Sequence, residues 1–177
     1  MKCTAKTVDE FLSFENLTNC LTIRAVYHVQ DVAKLISESK SSLKVWMNEL
    51  FALDIEKMIR AHLIFLMFQS SRQLVSGYNF KDKRIVGVLE LVNKMFAVKH
   101  LLSNHSAMYE TGFFEKGANL LLEKAFKKLL VDLRPHMLGL VEFFSLGDIV
   151  PSVIGNKYGD IYEAQLEAAV NSKLNQQ

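Results

Sequence analysis

The sequence predicts an all-α fold, a helical bundle of about five or six helices. Only two prolines and eight glycines occur among 177 residues, too few for the turns of an all-β protein. Apolar residues recur every three or four positions over long stretches, and no strand-type alternation competes with them. At this length one hydrophobic core is expected, so we predict a single helical domain over residues 1–177.

The first half of the chain divides at clusters of serine and asparagine. We predict a helical region over residues 8–37, with residues 16–19 as a candidate break. Residues 39–42 interrupt it, and residues 43–51 continue as helix.

The next predicted helix begins at Asp54, whose short acceptor can cap free backbone N–H groups, and ends near Gly77. Its apolar run over residues 63–68 covers nearly the whole circumference. Such a helix is usually central in its domain, so we predict that it forms the hub of the core. His62 lies on the face predicted to be buried, and a hydrogen-bonded core or pocket-lining histidine is the favoured reading over a catalytic base.

Three further segments follow. Residues 83–103 are predicted as helix, and residues 104–117 as irregular with room for one short helical turn. The clearest amphipathic pattern runs over residues 121–133. Pro135 interrupts its continuation, because proline removes a helical hydrogen bond and crowds the preceding turn, so a kink or break is predicted near Leu133.

Composition excludes several classes of function. A formal net charge of +2, evenly dispersed, does not predict a nucleic-acid surface. The longest apolar run is far below the roughly 20 residues of a membrane span. The N-terminus carries Asp9 and Glu10 where a secretory signal would be apolar. With only Cys3 and Cys20, the simplest prediction is a non-secreted protein with reduced cysteines.

No recognisable catalytic or metal motif is present. The five histidines lack metal-ligand spacing, and no strand–serine elbow occurs. Gly155 and Gly159 are the first and last residues of GNKYG, which lacks the spacing of a phosphate-binding loop but suits a turn before a helix. Asp160 and Glu163 have capping-box spacing, so a capped final helix is predicted after this turn.

This last segment resembles the end of the peroxisomal acyl-CoA oxidases. The sequence VIGNKYGDIYEAQLEAAVNSKLN is similar to a family pattern of L-G-x-x-x-G-x-x-Y-E, a helix and N-S-x-L-N. The runs HMLGLVEFFSLGDIV and IRAHLIFLMFQ resemble upstream parts of the same region. The matching residues of the pattern are Ile154, Gly155, Gly159, Tyr162, Glu163, Asn171, Ser172, Leu174 and Asn175.

The resemblance implies a structural part of a flavoenzyme. The family uses FAD to convert an acyl-CoA and oxygen into a trans-2-enoyl-CoA and hydrogen peroxide in peroxisomal fatty acid β-oxidation. Its catalytic glutamate and most of its FAD and acyl-CoA site come from domains N-terminal to this region, so no catalytic, cofactor-binding or metal-binding residue is assigned. Gly155, Gly159, Tyr162 and Glu163 are expected to serve packing of the signature turn. The expected partners are the N-terminal catalytic domains or a homodimer partner, with acyl-CoA reached only through the full enzyme.

Two alternatives remain open, and so does the location. One is a stand-alone helical module that binds itself or another protein through uncovered apolar surface. The other is a helical carrier of acyl chains. The family implies a peroxisomal location, and a cytoplasmic location is the alternative. Ser172 to Leu174 spell the peroxisomal tripeptide but are followed by Asn175, Gln176 and Gln177, and this signal must be terminal.

Overall fold

The structure, a computed structural model, describes residues 2–143 and 161–175, and every regular element in them is helical. The predicted all-α fold is confirmed. By its internal contacts the chain divides into two compact units, Met1–Leu133 and Arg134–Gln177. The single-domain assignment over residues 1–177 stays a prediction.

The first unit begins with two helices, α1 (Val8–Phe11) and α2 (Phe14–Glu38). Thr7 and Glu10 form a capping box at the start of α1, and the hydroxyl of Ser13 accepts a hydrogen bond from the backbone N–H of Asn16 at 3.2 Å. The predicted break at residues 16–19 was therefore wrong. The break lies just before Phe14, because Ser13 caps a new helix and so puts Asn16 in its first turn.

A short helix and a wider turn connect α2 to the next long helix. Helix α3 (Leu43–Val45) continues as a π-helical turn (Trp46–Leu50), and α4 (Ala52–Gly77) follows. The predicted end at Gly77 is confirmed. The predicted start was wrong, since α4 begins at Ala52 with no side-chain cap, while Asp54 lies in its first turn and pairs with Lys57 at 3.3 Å.

The rest of the first unit agrees closely with the sequence patterns. Helix α5 (Lys83–Ser103) has the predicted bounds and is capped by Asp82. The predicted irregular stretch contains one short helix, α6 (Ser106–Glu110). Helix α7 (Ala118–Leu133) begins a little before the predicted residue 121. Gly112 follows α6 in a left-handed conformation, with φ 66°.

The hydrophobic core of this unit centres on α2, and the prediction that α4 is the hub was wrong. Helix α2 has five buried apolar residues, whereas α4 has three. Phe14 on α2 lies beside Phe68 of α4, with ring centroids 6.1 Å apart. The largest fully buried side chains come from several elements: Phe11, Leu17, Leu21, Phe68, Leu101, Met108, Phe113, Leu122 and Leu129.

The second unit begins where Pro135 predicts a break. Helix α7 ends at Leu133, a 3-10 turn (Arg134–His136) follows, and helix α8 (Met137–Phe143) comes next. The final described helix is α9 (Ile161–Val170). The turn residues Gly155 and Gly159, and the predicted cap Asp160, lie outside the described residues.

Candidate docking surface

Helix α4 carries apolar side chains on two different faces. One face is buried and holds Ala61, Ile64 and Phe68. The other faces solvent, and we call it the outer stripe. At 100° per residue its members span roughly 100° of the circumference, on the side away from the buried face. The outer stripe consists of Ile59, Leu63, Leu66, Met67 and Leu74, which are 43–72% exposed.

The outer stripe leads into an apolar groove at the C-terminal end of α4. The groove has a volume of about 580 Å³, and both α4 and α5 contribute to it through Leu74 and Leu89. Tyr78 and Phe80, in the connection between the two helices, also line it, with their ring centroids 4.6 Å apart. Six of its eight lining residues are apolar or aromatic.

Charge is excluded from the outer stripe. Between Arg60 and Arg72 the sequence contains no aspartate, glutamate, lysine or arginine. At the N-terminal end of the stripe, Arg60 is paired with Glu56. Central parts of protein interfaces are depleted of charge and framed by a polar rim, and exposed contiguous apolar surface marks interaction sites. The pattern is that of an interface.

Covering the outer stripe would release a substantial free energy. Burying a large apolar side chain completely contributes roughly 1.5–3 kcal/mol, and the five members are on average about half exposed. The gross gain is therefore about 4–7 kcal/mol, from which the cost of association is subtracted when the partner is a separate chain. A partner joined covalently to this chain would avoid much of that cost.

His62 lies beside the outer stripe and is exposed, so its prediction as a core or pocket-lining histidine was wrong. Its ring is 6.5 Å from that of Phe65. The apolar run over residues 63–68 was interpreted as part of one buried helix. In the structure, some of its side chains lie on the buried face of α4 and the others lie in the outer stripe. A helix that is apolar on all sides can also pack against its own core with one face and against a partner with the other.

Comparison with known proteins identifies the family. The family model described as Acyl-CoA oxidase matches residues 13–177. The chain belongs to the acyl-CoA oxidase family. Peroxisomal acyl-coenzyme A oxidase 1 of Homo sapiens is 26% identical over 175 residues, covering 96% of this chain and 26% of the human protein. The enzyme of the same name from Rattus norvegicus is 27% identical, with the same coverage.

Two solved plant structures share the fold. Arabidopsis thaliana acyl-CoA oxidase 1 superposes with a TM-score of 0.81 at 18% identity, covering 99% of this chain and 26% of that one. LeACX1, an acyl-CoA oxidase from tomato, gives a TM-score of 0.80 at 19% identity and covers 27% of that chain. This acyl-CoA oxidase family chain thus spans about a quarter of the length of the relatives that it matches.

Of the four predicted signature residues, the structure describes Tyr162 and Glu163. Both lie in the first turn of α9 and are exposed, Tyr162 by 86%. Tyr162 shares one face of α9 with Leu166 and Val170, which are also exposed, since residues four apart are neighbours on a helix. Their role in packing the signature turn stays a prediction.

The described residues offer few groups for chemistry. Within residues 2–143 and 161–175, no three His, Cys, Asp or Glu side chains are placed to hold a metal ion. Neither cysteine forms a disulfide, and burial raises the pKa of the Cys20 thiol, which keeps it protonated and unreactive. None of the helices in the described residues is long and apolar enough to cross a membrane.

The apolar groove does not fit the FAD that the family resemblance implies. A dinucleotide diphosphate needs backbone N–H donors or cationic side chains. The groove presents Met67, Leu74, Val75, Tyr78 and Phe80 instead, with two serines as its other polar groups. No cofactor role is therefore assigned to this surface.

Proposed function

We propose that this chain is the C-terminal helical domain of an acyl-CoA oxidase, that it has a structural role, and that it is inactive by itself. The enzyme concerned is an FAD-dependent oxidase that converts acyl-CoA and oxygen to trans-2-enoyl-CoA and hydrogen peroxide. The observation that carries the proposal is the exposed outer stripe of α4 in a chain that spans 26% of the human relative.

The occupant proposed for the outer stripe is the flavin-binding catalytic part of the enzyme. The relatives contain roughly three further quarters of sequence beyond the matched segment, and a domain within a larger chain is expected to bury apolar surface against its neighbours. A covalently linked neighbour has a high effective concentration, so it stays docked with less interface free energy than a separate chain needs. FAD and acyl-CoA are then bound by the neighbouring part and not by this chain alone.

The proposal is tested in a chimera in which this chain replaces the matched segment of full-length human peroxisomal acyl-coenzyme A oxidase 1. Leu63→Glu places a charge in the outer stripe at a residue that is 51% exposed, and Leu130→Glu does the same on α7 at 50% exposure. We expect Leu63→Glu to lower FAD retention and acyl-CoA-dependent peroxide formation, and Leu130→Glu to preserve both. Equal effects of the two variants would contradict the docking role of the outer stripe.

Inactivity is tested on the purified chain alone. We expect no flavin absorbance and no acyl-CoA-dependent peroxide, with or without added FAD. In parallel, the purified chain is mixed with the human enzyme lacking the matched segment, and complex formation is followed by size-exclusion chromatography. A yellow chain with peroxide production would overturn the structural role.

A second candidate function is a stand-alone interaction module, and the same outer stripe favours it. In this case the exposed leucines and methionine would bind a second copy or another protein. Sedimentation over a hundredfold range of concentration distinguishes the two: self-association abolished by Leu63→Glu supports the module, and a monomer at all concentrations argues against self-association.

We also propose a peroxisomal location, because the curated relatives are named as peroxisomal enzymes. A fluorescent protein fused to the N-terminus of this chain and expressed with a peroxisomal marker tests it. Diffuse fluorescence in cells that hold marked peroxisomes would contradict the proposed location.

A further inference from the structure

A second concave feature lies where α2, α4 and α5 meet, on a different part of α4 from the apolar groove. Its volume is about 420 Å³, within the range of small-molecule sites. In contrast to the groove, its lining is rich in charged and polar side chains. Its charged and ionisable lining residues are Arg24, Glu56, Lys57, Arg60 and His100.

Arg24 is the buried group of this cavity. It is 2% exposed, and its Nη1 donates a hydrogen bond to the backbone oxygen of His100 at 2.7 Å. Its Nε and Nη2 have no hydrogen-bond partner. In a guanidinium group, the N–H bonds of Nε and Nη2 point in the same direction and form a fork that matches two oxygens of one anion. The bond to His100 fixes the plane of this fork.

The charge of Arg24 is not balanced by an acidic side chain. No ion pair of the described residues includes it, whereas Lys57 pairs with Asp54 and Arg60 with Glu56. Burial lowers the pKa of Arg24 to about 10, so the group remains charged at neutral pH. A buried charge without a counter-charge opposes folding, and an anion would remove this penalty.

The neighbouring imidazoles do not supply the missing negative charge. Burial and, after it, the charge of Arg24 lower the pKa values of both His28 and His100. Both rings are consequently neutral at pH 7, and Nε2 of His28 is itself buried without a partner. Two further cations, Lys57 and Arg60, lie on the α4 side of the cavity, where the Glu56 carboxylate also lines it and pairs with Arg60.

We infer that this cavity binds a phosphate group, with the Arg24 fork donating to two of its oxygens and with Lys57 and Arg60 at the rim. Lys57 and Arg60 are paired with Asp54 and Glu56, so the anion gains their charge only when they turn from these carboxylates toward it. With that exchange three cations face the anion, which favours a dianionic phosphate over a monovalent carboxylate or chloride. The fork nitrogens lie below the cavity surface, so binding requires lining side chains to move. Lys57 and Arg60, with side chains 55% and 72% exposed, can do so without unpacking the core. The inference is independent of the proposed function.

The test titrates the purified chain with inorganic phosphate, glycerol 3-phosphate, acetate and chloride at equal ionic strength, followed by NMR and calorimetry. We expect saturable binding of inorganic phosphate, of the phosphate ester, or of both. Binding of the ester alone identifies a phosphorylated metabolite as the source, and binding of both identifies the phosphate group itself. Tighter binding of acetate than of both phosphates, or identical shifts with chloride, would overturn the inference.

Variants separate a built site from general attraction. Arg24→Lys keeps the charge but loses the fork, so we expect at least a tenfold weaker affinity, and Arg24→Met should abolish binding. Arg84→Met is the matched control, because the Arg84 side chain is 91% exposed and belongs to the start of α5. Its affinity should equal that of the parent chain. Unchanged affinity in Arg24→Lys would refute the site.

Two measurements keep the result interpretable if an Arg24 variant unfolds. Arg60→Met changes an exposed side chain and should weaken phosphate binding two- to fivefold with unchanged circular dichroism. Bound phosphate should also raise the pKa values of His28 and His100 in the parent chain, because a nearby anion favours the imidazolium form. Absence of both effects in the folded protein would contradict the proposed position of the anion.

Discussion

The two faces of α4 can be distinguished by adjacent alanine substitutions. Phe68 is 0% exposed and lies against the ring of Phe14, with centroids 6.1 Å apart. Phe68→Ala removes a fully buried ring and leaves a cavity, which costs about 3–5 kcal/mol in comparable cores. Met67 is 58% exposed, so Met67→Ala forfeits about four-tenths of a full burial, or roughly 0.6–1.2 kcal/mol.

The assay is urea denaturation followed by far-UV circular dichroism, with the free energy of unfolding obtained by linear extrapolation. We expect Phe68→Ala to be less stable than Met67→Ala by about 2–4 kcal/mol, the difference between the two estimates above. Comparable losses in both variants would show that the outer stripe is covered in solution. That result would refute the assignment of the stripe as an exposed surface.

Three further predictions concern a helix cap, two glycines and the dependence of stability on pH. Thr7→Ala removes the side-chain acceptor of the capping box at α1 and should cost about 0.5–2 kcal/mol in the same denaturation assay; a change below that range would contradict the role of the cap. Gly112→Ala should destabilise the chain by about 1–2 kcal/mol because Gly112 has φ 66°. Gly87 lies inside α5, where a Cβ meets no atom within 4 Å, so Gly87→Ala should stabilise the chain by about 0.5–1 kcal/mol. Burial and the charge of Arg24 lower the pKa of His28, so the unfolded chain binds more protons, and the free energy of unfolding should fall as pH drops below about 6.5; denaturation at several pH values should show a smaller fall in His28→Gln.

The order of the helices could be predicted from the sequence because most of their ends carry local signals. Asp82 is a short acceptor before α5, and Gly77 and Pro135 mark ends that the structure confirms. The bounds failed where two signals competed. Ser13 lies three residues before Asn16, where the break was predicted. Asp54 is a good cap residue, but it lies two positions inside a helix that begins without a side-chain cap.

The candidate surface could not be predicted in the same way, because the burial of a side chain depends on what packs against the helix as well as on the sequence of the helix. The run over residues 63–68 shows that α4 is apolar on most sides, but periodicity does not show which side meets α2 and which meets solvent. His62 was misplaced for this reason. The buried Arg24 was also missed, since a single arginine among the polar residues of an amphipathic helix gives no sequence signal of burial.

The arrangement of α4 separates stability from docking along one helix. Ala61, Ile64 and Phe68 hold α4 against the core of the first unit, while Leu63 and Met67 contribute little to that core. Substitutions on the outer stripe can therefore disturb an interface without unfolding the chain, which is what the Leu63→Glu chimera requires. The same argument explains why the stripe lacks charge. A charged residue there would be harmless to the isolated first unit, so the 11-residue stretch without Asp, Glu, Lys or Arg between Arg60 and Arg72 points to a partner rather than to the fold of this unit.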